Sequence, residues 1–246
     1  MKIDASQLHY KELNQKIRAA VHRGETDFEL VGVNGHRYLA DGLEGPIRLH
    51  VHGTPGQDLG AFMNGPEVWV HGNAQDGAGN TMDAGRIIVA GMAGDVAGYG
   101  MRGGEIFIRG DAGYRVGIHM KSYQEKVPTI VIGGKAGDFL GEYMAGGCII
   151  LLGLFSADHL DRPLCGNYLG TGMHGGVIYV RGTVEPFRLG RGLTATQPTA
   201  EDQPALERHV LTFAELFDLD GDEILGGAFT KVVPATHRPY GSMYAY

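Results

Sequence analysis

Six methionines set the ruler for this chain. Met63, Met82, Met101, Met120, Met144 and Met173 follow one another at intervals of 19, 19, 19, 24 and 29 residues. A glycine lies three residues before each of them, at Gly60, Gly79, Gly98, Gly117, Gly141 and Gly170. Seven residues before, glycine recurs at Gly56, Gly94, Gly113, Gly137 and Gly166, with Gln75 as the exception. A repeat this short that holds its phase restricts the chain to architectures built by stacking one small unit.

Each unit closes on two apolar residues separated by one position: Leu49/Val51, Val68/Val70, Ile87/Val89, Ile106/Ile108, Ile130/Ile132, Ile149/Leu151 and Ile178/Val180. A period of two puts both members on one face of a strand. One such strand cannot bury that face alone, whereas seven stacked copies enclose a continuous apolar interior. The unit is too short for a helix pair and lacks the L-x-x-L-x-L spacing of leucine-rich repeats. The pattern therefore predicts an all-β fold, a right-handed parallel β-helix of about seven coils. Glycine, 41 of 246 residues, would serve the corners where φ is positive, and the methionines would fill irregular gaps inside.

Three segments are expected: an N-terminal helix and hairpin cap over 1–44, the β-helix over 45–182, and a C-terminal linker, short helix and tail over 183–246. In the first, Asp4 and Gln7 are spaced as a capping box, and Leu13, Ile17, Ala20 and Val21 follow helical spacing up to Gly24. Phe28–Val33, Asn34-Gly35 and His36–Leu39 read as a tight hairpin. In the last, 194–205 reads as a polar linker, and Thr212 with Glu215 as the capping box of a short helix holding Phe213, Leu216 and Phe217. The aromatic stretch from Phe229 to Tyr246 is expected to pack on a partner or on the protein itself.

The chemistry that sequence patterns can suggest is mostly excluded. Gly98–Gly103 and Gly170–Gly175 match G-x-G-x-x-G, but both run into strands and keep the repeat's phase, so a dinucleotide loop opening a helix is not expected. Asp218–Asp222 has its glycine two places too early for a calcium loop. No G-x-S-x-G elbow occurs. Cys148 falls inside a strand, and Cys165, in the long insertion, reads as an exposed thiol with no evident base. Asp76, Asp95 and Asp138 recur at coil corners as turn residues. His50, His52 and His71 should face outward, with His52 one coil below His71, within reach of a shared ion. No carboxylate completes an evident set, so they read as a ladder on a solvated or partner-facing surface. No catalytic, cofactor-binding or metal residue is expected. The outward strand positions offer neither clustered carboxylates nor stacked aromatics of the kind a sugar-binding β-helix needs. The net charge of −7 argues against nucleic acid and polybasic membrane anchoring. The first residues lack an apolar signal core, and a cytoplasmic chain is expected.

Residues 53–91, with Gly56-Gln57, Gly60-Ala61-Phe62, Gly72-Asn73-Ala74 and Gly85-Arg86-Ile87-Ile88, resemble the G-x-G-x-G domain of glutamate synthase large subunits. The similarity runs over about 45–182. It extends to free-standing subunits of glutamate synthase-like systems, N-methylglutamate synthase among them. It extends also to the structural β-helical chain of formylmethanofuran dehydrogenases and of formyltransferase/hydrolase complexes. The resemblance implies a right-handed β-helix without catalytic residues of its own. It implies a non-catalytic scaffold of a glutamate synthase-type oxidoreductase complex, inactive alone, with FMN and Fe–S clusters on other subunits. Its expected partners are a class II glutamine amidotransferase and an FMN/Fe–S synthase chain. A structural chain beside a formyl-transferring enzyme is the alternative.

Overall fold

The structure, a computed structural model, describes residues 1–155 and 163–235. It begins with β1 (Lys2–Asp4), α1 (Tyr10–His22) and β2 (Asp27–Asn34), and the repeat then supplies β3 (Arg48–Thr54), β4 (Asn64–Val70), β5 (Ala84–Val89), β6 (Glu105–Ile108), β7 (Thr129–Ile132), β8 (Ala145–Leu151) and β9 (Gly175–Arg181). Strands β1 to β9 pair in parallel in chain order. The seven expected pairs stack directly over one another, as in Val68↔Ile87↔Ile106↔Ile130↔Ile149↔Ile178. This is the right-handed parallel β-solenoid that the period dictates.

The interior is filled by apolar side chains. Met63, Met82, Met101, Met120 and Met144 are fully buried, packed with the inward pairs in one continuous core. A second file of bridges, Ala74–Ala93–Ala112–Ala136–Cys165, runs up another side. The corner aspartates tie coil to coil: Asp76 Oδ1 accepts from Asp95 N at 2.9 Å, Asp95 Oδ1 from Tyr114 N at 2.8 Å, and Asp138 Oδ1 from Asn167 N at 2.7 Å. They stabilise corners as expected, by bonding to the coil above.

The N-terminal cap differs from expectation in two ways. There is no hairpin: β2 lies parallel between β1 and β3, with Phe28 beside Leu49 and Leu30 beside Val51. Residues 28–47 form a degenerate first coil in which Leu43 stands in for the repeat's methionine, since Asn64 N bonds Leu43 O as Asp83 N bonds Met63 O. The helix is capped by His9 and Glu12, not by Asp4 and Gln7; Asp4 instead accepts from Ser6 N at 2.9 Å. Helix α1 buries Leu13, Ile17 and Ala20 against this coil and closes that end of the lumen.

The C-terminal region is also more ordered than its composition suggests. After a 3-10 turn at Pro186–Arg188 come β10 (Leu193–Thr196), α2 (Gln203–Phe217), α3 (Gly221–Leu225) and β11 (Phe229–Pro234). Strand β11 pairs antiparallel with both β9 and β10. The expected linker is thus a strand and the first turn of a 15-residue helix. Thr212 lies inside α2, its hydroxyl bonded to Arg208 O, and caps nothing. Of the aromatic tail, Phe229–Pro234 packs on the protein itself, and 236–246 lie outside the described residues.

Helix α2 lies across the outward face of the upper coils. Ile88, Phe107, Val131, Ile150 and Tyr179, the outward residues between the inward pairs, form a second core with Leu206, Val210, Phe213 and Ala214. Asp202 fastens the start of the helix: Tyr179 Oη donates to it at 2.6 Å, and Lys231 Nζ lies 2.7 Å away. Burial alone would raise the Asp202 pKa, but the hydrogen bonds from Lys231, Tyr179 and Thr199 outweigh it and hold the carboxyl well below its usual range.

Candidate functional site

Among the described residues, the two cysteines are shut in. Cys165 is buried, not exposed as expected, because it occupies the alanine file of the second bridge ladder. Burial pushes its thiol up to about 11, and that of Cys148, under α2, up to about 12. Neither forms a thiolate near neutral pH. The two G-x-G-x-x-G segments lead into β6 and β9, with no helix to receive a phosphate.

Thr129, His209 and Glu105 are spaced as a nucleophile, base and orienting acid would be. The His209 Nε2 lies 3.4 Å from Thr129 Oγ1, and Nδ1 lies 3.6 Å from Glu105 Oε1. Thr129 and His209 are nevertheless buried between α2 and the sheet, where no substrate reaches them. Arg208 Nη2 donates to His209 Nε2 at 3.0 Å, so the neutral ring carries its proton on Nδ1, toward Glu105. The trio docks a helix. A cleft of about 260 Å³ between α2, α3 and β11 is lined by Gln197, Pro198, Gln203, Leu206, Leu225, Gly227, Ala228 and Phe229, with no titratable side chain.

Two surfaces remain open. The first is a ridge along the solenoid corner. His119, Phe139, Tyr143 and Tyr168 all adopt positive φ, between 52° and 63°; the amides of His119, Phe139 and Tyr143 bond to the next coil, and Tyr168 O accepts from Thr171 N within its own turn. A corner residue in this conformation turns its side chain outward, so successive coils present rings in register. Phe139 stacks on Tyr168 at 4.9 Å between centroids, and His119 on Tyr143 at 5.3 Å. Tyr99 meets His119 edge-on, and Arg115 lies over Phe139 while its Nε bonds Glu142 at 2.9 Å. Phe187, at the upper end, is 74% exposed. Stacked exposed aromatics are therefore present, contrary to expectation, because they occupy the corners and not the strands. Exposed Tyr, Phe and Arg are the side chains enriched where proteins meet.

The second surface is the lower half of the sheet face, beyond the reach of α2. The Nδ1 of His50 lies 3.1 Å from His71 Nε2, and His52 stacks on His71 at 4.4 Å, nearly parallel. The carboxylate that the sequence did not reveal is Glu29 of β2, whose Oε1 is 3.7 Å from His52 Nε2. Among the described residues, no three His, Cys, Asp or Glu groups stand arranged around a common metal position. No helix among them is long and apolar enough to cross a membrane.

The GXGXG motif family matches residues 11–234. An uncharacterised protein of Methanocaldococcus jannaschii, MJ1350, is 44% identical over 248 residues, which cover 98% of this chain and 95% of that protein. Among solved structures, a chain of the formyltransferase/hydrolase complex (FhcABCD) from Methylorubrum extorquens, determined with methylofuran, shares the fold. Its TM-score is 0.65 at 21% identity, over 95% of this chain and 96% of that one. The class II amidotransferase and FMN/Fe–S partners expected from glutamate synthase are corrected by this match, because the assembly in which the fold is found there is a formyltransferase/hydrolase. With its motif matched from the first helix to the last strand and a relative of equal span, the chain belongs to the GXGXG motif family.

Proposed function

We propose that this protein is a non-catalytic β-helical scaffold in a multi-chain complex of the formyltransferase/hydrolase type, in the place of that complex's structural β-helix. The observation that carries the reading is the end-to-end correspondence with a chain of such a complex, which leaves almost none of either chain unmatched. The filled lumen, the inert cysteines and the burial of Thr129 and His209 support a role without bond-making. Stacked coils give a stiff surface on which partner chains keep fixed spacing, and the ridge from Tyr99 to Phe187 is the surface assigned to them.

Affinity purification of the native chain, followed by mass spectrometry and size-exclusion chromatography, tests this. The expected result is stoichiometric recovery of formyl-transferring or formyl-hydrolysing chains, with no turnover by the isolated protein in either assay. Substituting Tyr143 and Phe187 with Glu should lower that recovery at least tenfold while thermal unfolding changes little, as both side chains are exposed. A monomer without partners, or turnover by the pure chain, would refute the scaffold. Stoichiometric partners of unrelated chemistry would refute the formyl assignment alone.

A further inference from the structure

We propose that His50 and His71 form a chelating site for a first-row divalent transition cation on the open half of the sheet, with His52 and Glu29 as the next donors at hand. The site is independent of the ridge and of the enclosed trio. Its core is the 3.1 Å approach of His50 Nδ1 and His71 Nε2. Two imidazole nitrogens bound at ~2.0–2.1 Å to a tetrahedral ion stand roughly 3.3 Å apart. The two rings already hold that separation within a few tenths of an ångström. A hydrogen bond joins the two nitrogens, its direction set by the tautomer; a cation takes both facing lone pairs once that proton moves to the other nitrogen of the donating ring.

The backbone makes this convergence rigid. His50 lies in β3 opposite Trp69 of β4, and His71 follows two residues beyond Trp69, so the pair is a diagonal across two hydrogen-bonded rungs. His52 and Trp69 stack against the His71 ring, at 4.4 and 6.0 Å between centroids, and restrict its rotation. Such restraint lowers the entropy lost on ligation. Metal binds the neutral imidazole. Glu29 brings negative charge to the patch, although Lys2 at 3.3 Å shares that carboxylate. The two histidines and solvent complete a first coordination shell.

Titration of the metal-free full-length chain with Zn²⁺ at pH 7.5, read by calorimetry, tests the proposal. Copper(II) electron paramagnetic resonance then counts the nitrogen ligands. One equivalent should bind at this site, and His50→Ala and His71→Ala should each weaken it tenfold or more. His22→Ala, on α1, serves as the control and should leave the isotherm unchanged. All three substituted side chains are exposed, so the variants should fold, and unfolding curves without metal would confirm it. An unchanged isotherm in the His50→Ala/His71→Ala double variant would overturn the site. So would weak, multi-equivalent binding of the kind any histidine-bearing surface gives.

Discussion

Gly117→Val should cost the fold about 3–5 kcal/mol and Gly117→Ala about 2–3 kcal/mol, from two sources that add. Gly117 sits in the corner file three residues before each methionine, with φ of +70°. An L side chain there loses roughly 1–2 kcal/mol to backbone strain, more if β-branched. A Cβ would also lie 2.6 Å from Ile149 Cδ1, a fully buried methyl of the lumen. The neighbouring coils hold Ile149 in place, and relieving such overpacking typically costs ~1–3 kcal/mol. Chemical denaturation followed by circular dichroism reads the loss. Full stability in Gly117→Val would mean that the corner and the lumen are not packed as described.

Acid should loosen α2 in two separate steps. Burial, with help from Arg208, lowers the His209 pKa from its usual 6.5 to about 4, and Glu105 opposes this only in part. The folded state therefore resists a proton that the unfolded chain accepts. The contribution is complete above pH 6.5 and erodes as the pH falls from 6.5 towards 4, by about 3 kcal/mol at ~1.4 kcal/mol per pH unit. Asp202 acts in a lower window: its depressed pKa stabilises the fold above the ordinary carboxylate value of 3.8, and that contribution is lost below it. His209→Gln, whose amide oxygen can still accept from Arg208, should flatten the first step and leave the second. Limited proteolysis in α2 between pH 7 and 3 would show both. An identical profile in wild type and His209→Gln would remove His209 from the account.

What the sequence disclosed, it disclosed through period. The inward pairs from Leu49 to Val180 and the methionine file repeat one chemical demand at one spacing, so the coils and their register follow directly. Where the period lapses, local patterns mislead. Asn34-Gly35 looks like a hairpin turn, yet Phe28 and Leu30 gain more by stacking on Leu49 and Val51 than by folding back. Leu39 and Leu43, both fully or nearly buried, were the sign that the first coil begins earlier. The docking of α2 was also legible in principle: Ile88, Phe107, Val131, Ile150 and Tyr179 are apolar on a face that would otherwise meet water.

The candidate surfaces were harder to see because they depend on corner geometry and on contacts between distant rungs. Tyr143 and Tyr168 are unremarkable loop residues until their positive φ aims them into one ridge. Glu29 reaches the histidine patch only because β2 is a rung. Glu105 and His209, far apart in the chain, meet only when α2 crosses the sheet.

The most direct test of the stacked solenoid is hydrogen exchange resolved by residue at neutral pH. Amides of β4 to β8, and the corner amides of Asp95 and Tyr114 bonded to the coil below, should exchange only through global opening, with β1 and β10 at the ends of the sheet the first to fray. Rapid or mutually independent exchange in the central rungs would contradict the account.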